Sequence, residues 1–291
     1  MSSLENAADL LSSSSLEIGA HRPQDAREIA ALLPAGTPVY VNHLPRHRLL
    51  DTVSTLAAVR EAGLEPVPHI AARRIREQAE LREFLARATG EAGVRKALIL
   101  GGDEPEATGP YADGAAMLRE GFLTGCGLRE IGLPGYPEGH PRIPAAAIEK
   151  AFADKLMLAA GHGLGTYVVT QFSFAPQRIV DYCARMARQA PGISIYVGLA
   201  GPTSPVALLR FAQRCGVSAS LRALGTQGMN AVRLVTHTDP ADQLAAIARY
   251  CVSHADCNVV GIHLFTFGGV TAAANWINAQ LSKDRARSVP A

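Results

Sequence analysis

PVYVNHL (38–44), HRLLDTVSTLAAVREAG (47–63), EPVPHIA (65–71), RIREQAELREFLARATGEAG (74–93) and KALILGGD (96–103) follow one another with almost nothing between them. The first, third and fifth are short, apolar runs that stop at Asn, His, Gly or Asp. Such runs suit strands buried on both faces, as in a parallel sheet. The second and fourth are long enough to serve as the helical crossovers that parallel strands require. The rhythm extends in both directions. SSSLEIGA (13–20) precedes it, and EIGLPGYP (130–137), TYVVTQFSF (166–174), SIYVGLAG (194–201) and VVGIHLFTF (259–267) continue it. Eight strand–helix units in 291 residues predict an α/β chain folded as a (β/α)8 TIM barrel. It is read as a single domain over residues 1–291, with frayed ends at 1–12 and 282–291. The seventh unit is irregular. SPVALLRFAQRCG (204–216), VSASLRALGTQ (217–227) and DPADQLAAIARYCVSH (239–254) predict extra helices between strands seven and eight.

In this fold the chemistry sits at the C-terminal ends of the strands. Those ends carry Glu17, Asn42, His69, Asp103, Tyr136, Gln171 and Thr266. Composition narrows the function. Hydrophobic residues make up 48%, enough for one large core, and the net charge is +2. A balance so near neutral, with arginines spread along the chain, argues against a nucleic-acid or membrane-surface partner. No stretch approaches the roughly 20 apolar residues of a membrane span. MSSLENAADLLSSSS carries Glu5 and Asp9 and lacks the basic start and apolar centre of a signal peptide, so a soluble cytoplasmic protein is expected. The five cysteines are odd in number and include no CxxC, so neither a zinc site nor structural disulfides are expected. Metal ligation is expected nowhere in the chain.

Four constellations carry chemistry. Glu17 follows Leu16 and precedes Ile18, so its carboxyl would be desolvated and its pKa raised, which suits a general acid near neutral pH. The alternative is a structural carboxylate paired with Arg22. In LILGGDEP (98–105) two glycines let backbone approach a ligand and Asp103 can accept from a polar ring edge; a plain turn explains the motif as well. Neither a GxGxxG fingerprint nor a Walker motif is present. GYPEGHP (135–141) sets Tyr136 and His140 on a proline-stiffened loop, able to stack on a ring or meet a phosphate; His140 could instead bond its own loop. VVTQFSF (168–174) offers the Gln171 carboxamide, donor and acceptor at once, to a pterin or pyrimidine edge, beside Phe172 and Phe174, at least one of which belongs to the core. His69 reads equally as a packed histidine or a ligand contact. His43 and His47 read as solvent-facing.

SLEIGA, EPVPHI, LILGGDEP, PYADG, LPGYPEGHP and VTQFSF, in this order, resemble the methylenetetrahydrofolate reductases, over about residues 13–280. The resemblance implies a flavoenzyme of one-carbon metabolism with FAD at the barrel mouth and no Rossmann motif. By it, Glu17 is the acid that assists opening of the folate imidazolidine ring, Asp103 stands beside flavin and pterin, and Gln171 is the pterin-binding amide. Asn42, His69, Gly102, Asp103, Tyr111, Ala112, Tyr136, His140 and Asp154 fall where the family contacts FAD. The resemblance has gaps. Gly101 stands where the family has an arginine, and Gly268–Gly269 where it has another. His162 is the nearest substitute for a further basic residue, and Pro205 takes the place of a stacking phenylalanine. Arg22, Arg46 and Arg222 are the cations left to compensate. The lost contacts concern the nicotinamide more than the folate.

The expected activity is therefore interconversion of 5,10-methylenetetrahydrofolate and 5-methyltetrahydrofolate by hydride transfer via FAD. Weak or absent NAD(P)H use would favour methyl oxidation. The expected partner is the folate substrate, with a homo-oligomer allowed. The rival readings are a folate-binding methyltransferase and a non-catalytic one-carbon subunit on the same barrel.

Overall fold

The structure, a computed structural model, describes residues 3–45, 47–204, 208, 211 and 239–288. All eight apolar runs are strands: β1 (Ser15–Ile18), β2 (Pro38–Val41), β3 (Glu65–Ala71), β4 (Lys96–Leu100), β5 (Glu130–Gly135), β6 (Gly165–Thr170), β7 (Ser194–Ala200) and β8 (Val259–Phe265). They form a closed barrel in sequence order. The pairs are parallel, with Tyr40 opposite Val67, Ile70 opposite Ile99, and Ser15 opposite His263 where the last strand meets the first. β1 is buried at every position and β3 at all but its first. That is why these runs read as continuous apolar stretches rather than alternating ones.

Helices return the chain between strands. The helix Pro176–Gln189 shows how its sequence specifies it. A proline opens the first turn, where no backbone N–H is needed, and Ile179, Tyr182, Cys183, Met186 and Ala187 recur at helical spacing and are its buried residues. Of the elaboration predicted between strands seven and eight, the helix Ala241–Ser253 is described; the stretch 217–227, Pro205, Arg46 and Arg222 lie outside the described residues.

The ends differ from expectation. Ser3–Ser12 is a helix rather than a frayed tail, because Leu10 and Leu11 are buried against the end of the chain. This first helix packs on the helices Ala241–Ser253 and Val270–Ser288 and on β8. The last helix runs on to Ser288, past the point where fraying was expected.

By internal packing the chain falls into two compact units. One comprises Glu17–Pro134 and Ile143–Tyr167; the other holds the described remainder. They are called here the Glu17 unit and the Gln171 unit. Within the Glu17 unit, the buried hydroxyl of Tyr40 donates to that of Tyr167 at 3.1 Å. Within the Gln171 unit, the Gly198 N–H donates to Thr170 Oγ1 at 2.9 Å, and the Gly198 Cα faces the Thr170 carbonyl and the Phe265 ring so closely that no side chain fits.

Candidate functional site

In the Glu17 unit, β1 carries Glu17 to its end and leaves it 8% exposed. Burial pushes its carboxyl from the usual 4.5 up to about 7, opposed by a hydrogen bond from the Asn42 side chain. Asn42 is fixed next to it because its own N–H donates to the Ile18 carbonyl at 3.2 Å. The alternative partner for Glu17 is otherwise engaged: Arg22 pairs with Asp25 at 2.9 Å. Glu17 is thus a buried acid poised between its two protonation states near neutral pH.

His69 of β3 and His43 beyond β2 are both buried. Burial, and then neighbouring positive charge, lowers His69 to about 3 and His43 to about 4, so both are neutral imidazoles at pH 7. The expectation that His43 faces solvent is corrected. Its Nδ1 accepts the Ala71 N–H at 3.3 Å, and this draws the ring onto the end of β3. Among the described residues, the Nε2 atoms of His43 and His69 are buried without a hydrogen-bond partner. His47 is exposed as expected and shares a hydrogen bond of 2.8 Å with His21.

Two arginines that the sequence reading passed over organise the loops around these groups. Arg73 and Arg74 lie in the single turn Ala72–Arg74 that leaves β3. Arg74, only 11% exposed at its side chain, donates to the His43 carbonyl, bonds the Glu104 carboxylate at 2.6 Å and lies 3.6 Å from the Asp103 carboxylate. Burial alone would raise Glu104, but Arg74 outweighs it and the net direction is down. Arg73 donates to the Ala112 carbonyl and to the Glu104 carbonyl, both at 2.8 Å. The signal was available, since two adjacent arginines directly after an apolar strand stand at the reactive end of a barrel. Gly102 adopts a φ of +101°, a left-handed conformation that favours glycine, and a Cβ there would lie 2.8 Å from Glu104 Oε2. Gly101, in the place of the family arginine, has open space where a Cβ would go.

Tyr111 is buried just ahead of the short helix Gly114–Leu118, which Asp113 caps by accepting the Ala116 N–H at 2.8 Å. Asp154 sits on the helix Ala145–Gly161 and pairs with Lys150 at 2.6 Å, one turn earlier. His162 ends that helix and packs against Gly121.

In the Gln171 unit, Tyr136 and His140 meet edge to face at 5.4 Å, and His140 Nδ1 accepts the Arg142 N–H at 3.2 Å. The loop therefore bonds its own histidine and turns Nε2 into the ring's proton-bearing nitrogen. The Gln171 N–H donates to the Gly135 carbonyl at 2.7 Å, which ties the end of β6 to that of β5. Its side-chain oxygen accepts the Phe172 N–H at 3.1 Å, so the amide –NH2 is the half free to recognise something else. Phe172 and Phe174 are both buried and pack with Leu208, Phe265 and Phe267. Phe267 has a φ of +50°, unusual for a bulky residue. It also lies 4.8 Å from the Phe211 ring.

The methylenetetrahydrofolate reductase family matches residues 46–279. The chain belongs to that family. A folate-related one-carbon function and a reductase-like enzyme accord with membership of this family. Two solved structures share the fold. One is an uncharacterized protein from Clostridium thermocellum that binds two copies of 5-methyl-5,6,7,8-tetrahydrofolic acid, at 12% identity and TM-score 0.63, with 93% of this chain and 95% of that one covered. The other is a candidate phosphonomutase from Burkholderia cenocepacia, at 12% identity and TM-score 0.51, with 98% and 100% covered. Among the described residues, no helix is long and apolar enough to cross a membrane.

Proposed function

We propose that this family member is an FAD-dependent oxidoreductase interconverting 5,10-methylenetetrahydrofolate and 5-methyltetrahydrofolate, with methyl oxidation favoured. The observation that carries the reading is Glu17: a buried carboxylic acid with a pKa of about 7, hydrogen-bonded to Asn42 at the end of β1. The folate-binding neighbour of the same fold supports the choice of substrate class.

The residues present suit the flavin. The unpartnered Nε2 atoms of His43 and His69 are buried polar groups that a ligand edge would satisfy. Gly102 exposes backbone for close approach, and the Asp103 carboxylate, 68% exposed and 3.6 Å from Arg74, stands at the same loop. Within the Glu17 unit, Asn42, His69, Gly102, Asp103, Tyr111, Ala112 and Asp154 would hold FAD. When bound, FAD supplies hydride transfer, chemistry for which no side chain of the protein is equipped.

The chain's own work is acid catalysis and orientation. Glu17, half protonated at neutral pH, donates its proton to folate N10 as the imidazolidine ring opens, and takes it back when the ring closes. Asn42 holds the carboxyl in place. The Gln171 –NH2 bonds an acceptor on the pterin edge. Neutral His43 and His69 add no positive charge to oppose a protonated folate nitrogen.

The test is anaerobic titration of the full chain, reconstituted with FAD, by 5-methyltetrahydrofolate while flavin absorbance is followed. Bleaching with formation of 5,10-methylenetetrahydrofolate is expected. A folded protein that binds the folate but retains no flavin would overturn the oxidoreductase reading in favour of a folate-binding transferase.

A further inference from the structure

The helix Ala241–Ser253 ends two residues past Cys251, and the short connection into β8 carries Cys257. The two sulfurs lie 2.9 Å apart. Both side chains are half-buried, and residues 252–256 between them are exposed. A disulfide has an S–S distance of about 2.05 Å, so bond formation asks for under ~1 Å of further approach. No motif announces the pair, because five residues separate the cysteines where redox motifs have two.

We propose that Cys251 and Cys257 form a reversible dithiol–disulfide site that exchanges with small-molecule disulfides. Their surroundings assign the roles. Cys257 Sγ donates to Cys251 Sγ while both are thiols; once Cys257 is deprotonated, the Cys251 S–H donates to its thiolate and holds the shared proton. The Cys257 thiol is pushed down by that bond, against burial, with help from the Val259 N–H and His254 and opposition from Asp256. Cys251 is pushed up by the same bond and by burial. Cys257 is thus the attacking thiolate and Cys251 the resolving thiol. Cys183, on the neighbouring helix Pro176–Gln189, is fully buried and pushed up to about 12 by burial, which keeps it out of the exchange.

The chemistry balances as two exchanges. The Cys257 thiolate attacks one sulfur of the small disulfide, whose S–S bond breaks and releases one thiolate, protonated by solvent. Cys251 then gives its proton to solvent, its sulfur attacks Cys257, and the second small thiolate leaves. Two protein thiols are oxidised and one disulfide is reduced to two thiols. The product ties the end of the helix to the start of β8, the strand that pairs with both β7 and β1.

The experiment uses the full reduced chain with oxidised glutathione, quenched in acid, alkylated and digested with trypsin. Arg249 and Lys283 bound a peptide, residues 250–283, whose only cysteines are Cys251 and Cys257. It should lose both alkylation sites together, with a mass lower by two hydrogens, and regain them on treatment with dithiothreitol. Cys126 and Cys183 should remain alkylated. Cys251→Ser should stop at a Cys257–glutathione adduct, and Cys257→Ser should react at least about tenfold more slowly than Cys251→Ser. A peptide that keeps both alkyl groups while Cys126 or Cys183 oxidises, or two serine variants that react equally, would overturn the proposal. If a variant fails to fold, as judged by circular dichroism, the wild-type peptide map decides alone.

Discussion

Glu17→Gln should remove the pH dependence that Glu17 gives to folding. The folded pKa of about 7 stands above the usual 4.5, so the native state holds this proton more tightly than the unfolded chain does. A group raised in this way contributes its full stability below 4.5 and loses it as pH rises through 7. The shift corresponds to about 3 kcal/mol, and the group is buried, so solvent screening reduces it little. Glutamine keeps the uncharged shape and can still bond Asn42. His43 and His69 act in the opposite sense. Their folded values lie below the usual 6.5, so they add stability above 6.5 that is lost as pH falls through about 4 and about 3. Both histidines are present in wild type and variant and cancel in the difference. Urea unfolding, followed by circular dichroism and by the fluorescence of the single Trp276, should give nearly equal stabilities near pH 5. Near pH 8 the variant should be more stable by about 3 kcal/mol. Parallel stability curves for the two proteins would show that Glu17 is ionised without cost in the fold, and the argument for a buried acid would fail.

Four further outcomes are expected. Glu17→Gln should lower folate turnover by roughly 10²–10⁴-fold while flavin binding persists, measured by single-turnover kinetics; near wild-type turnover would leave Glu17 a structural role. At equal concentrations without oxygen, 5-methyltetrahydrofolate should reduce the bound flavin faster than NADH or NADPH, because Gly101 and Gly268–Gly269 offer no cation; rapid bleaching by micromolar NADH would show an intact nicotinamide site. Arg74→Met should cost about 1–3 kcal/mol in urea unfolding, since it leaves the His43 carbonyl and the Glu104 carboxylate without their donor; no loss would make the pair ornamental. Gly198→Ala should destabilise by about 2 kcal/mol or more, as its methyl group meets the Thr170 carbonyl, and an unchanged thermal midpoint would refute that packing.

The barrel was legible because burial on both faces writes each strand as an unbroken apolar run, and because the crossovers keep helical period. β1 shows how little is needed: four residues, all buried, still stand out against SSSS and the Gly–Ala that follows. Glu17 was legible for the same reason, as a carboxylate placed between Leu16 and Ile18. His43 was not, because its burial comes from a bond to Ala71, a residue 28 positions away. Arg74 was missed because its partners come from two other loops, after β2 and after β4. The helix at residues 3–12 was missed because its buried leucines answer to residues beyond 240, and no local pattern announces that. Gln171 was found for its carboxamide, but half of that group turned out to serve its own backbone, a matter of loop conformation that residue type does not encode.

The opening helix also sets a timetable. Leu10 and Leu11 find their cover on elements made only after residue 240, and β1 takes β8 as its neighbour. A chain emerging from the ribosome holds its first two elements without these partners until residues 241–288 are synthesised. Contacts between the two ends of a chain cost the most loop entropy and arrive latest. Removal of the last helix should leave a chain arrested short of closure, rather than a smaller native protein.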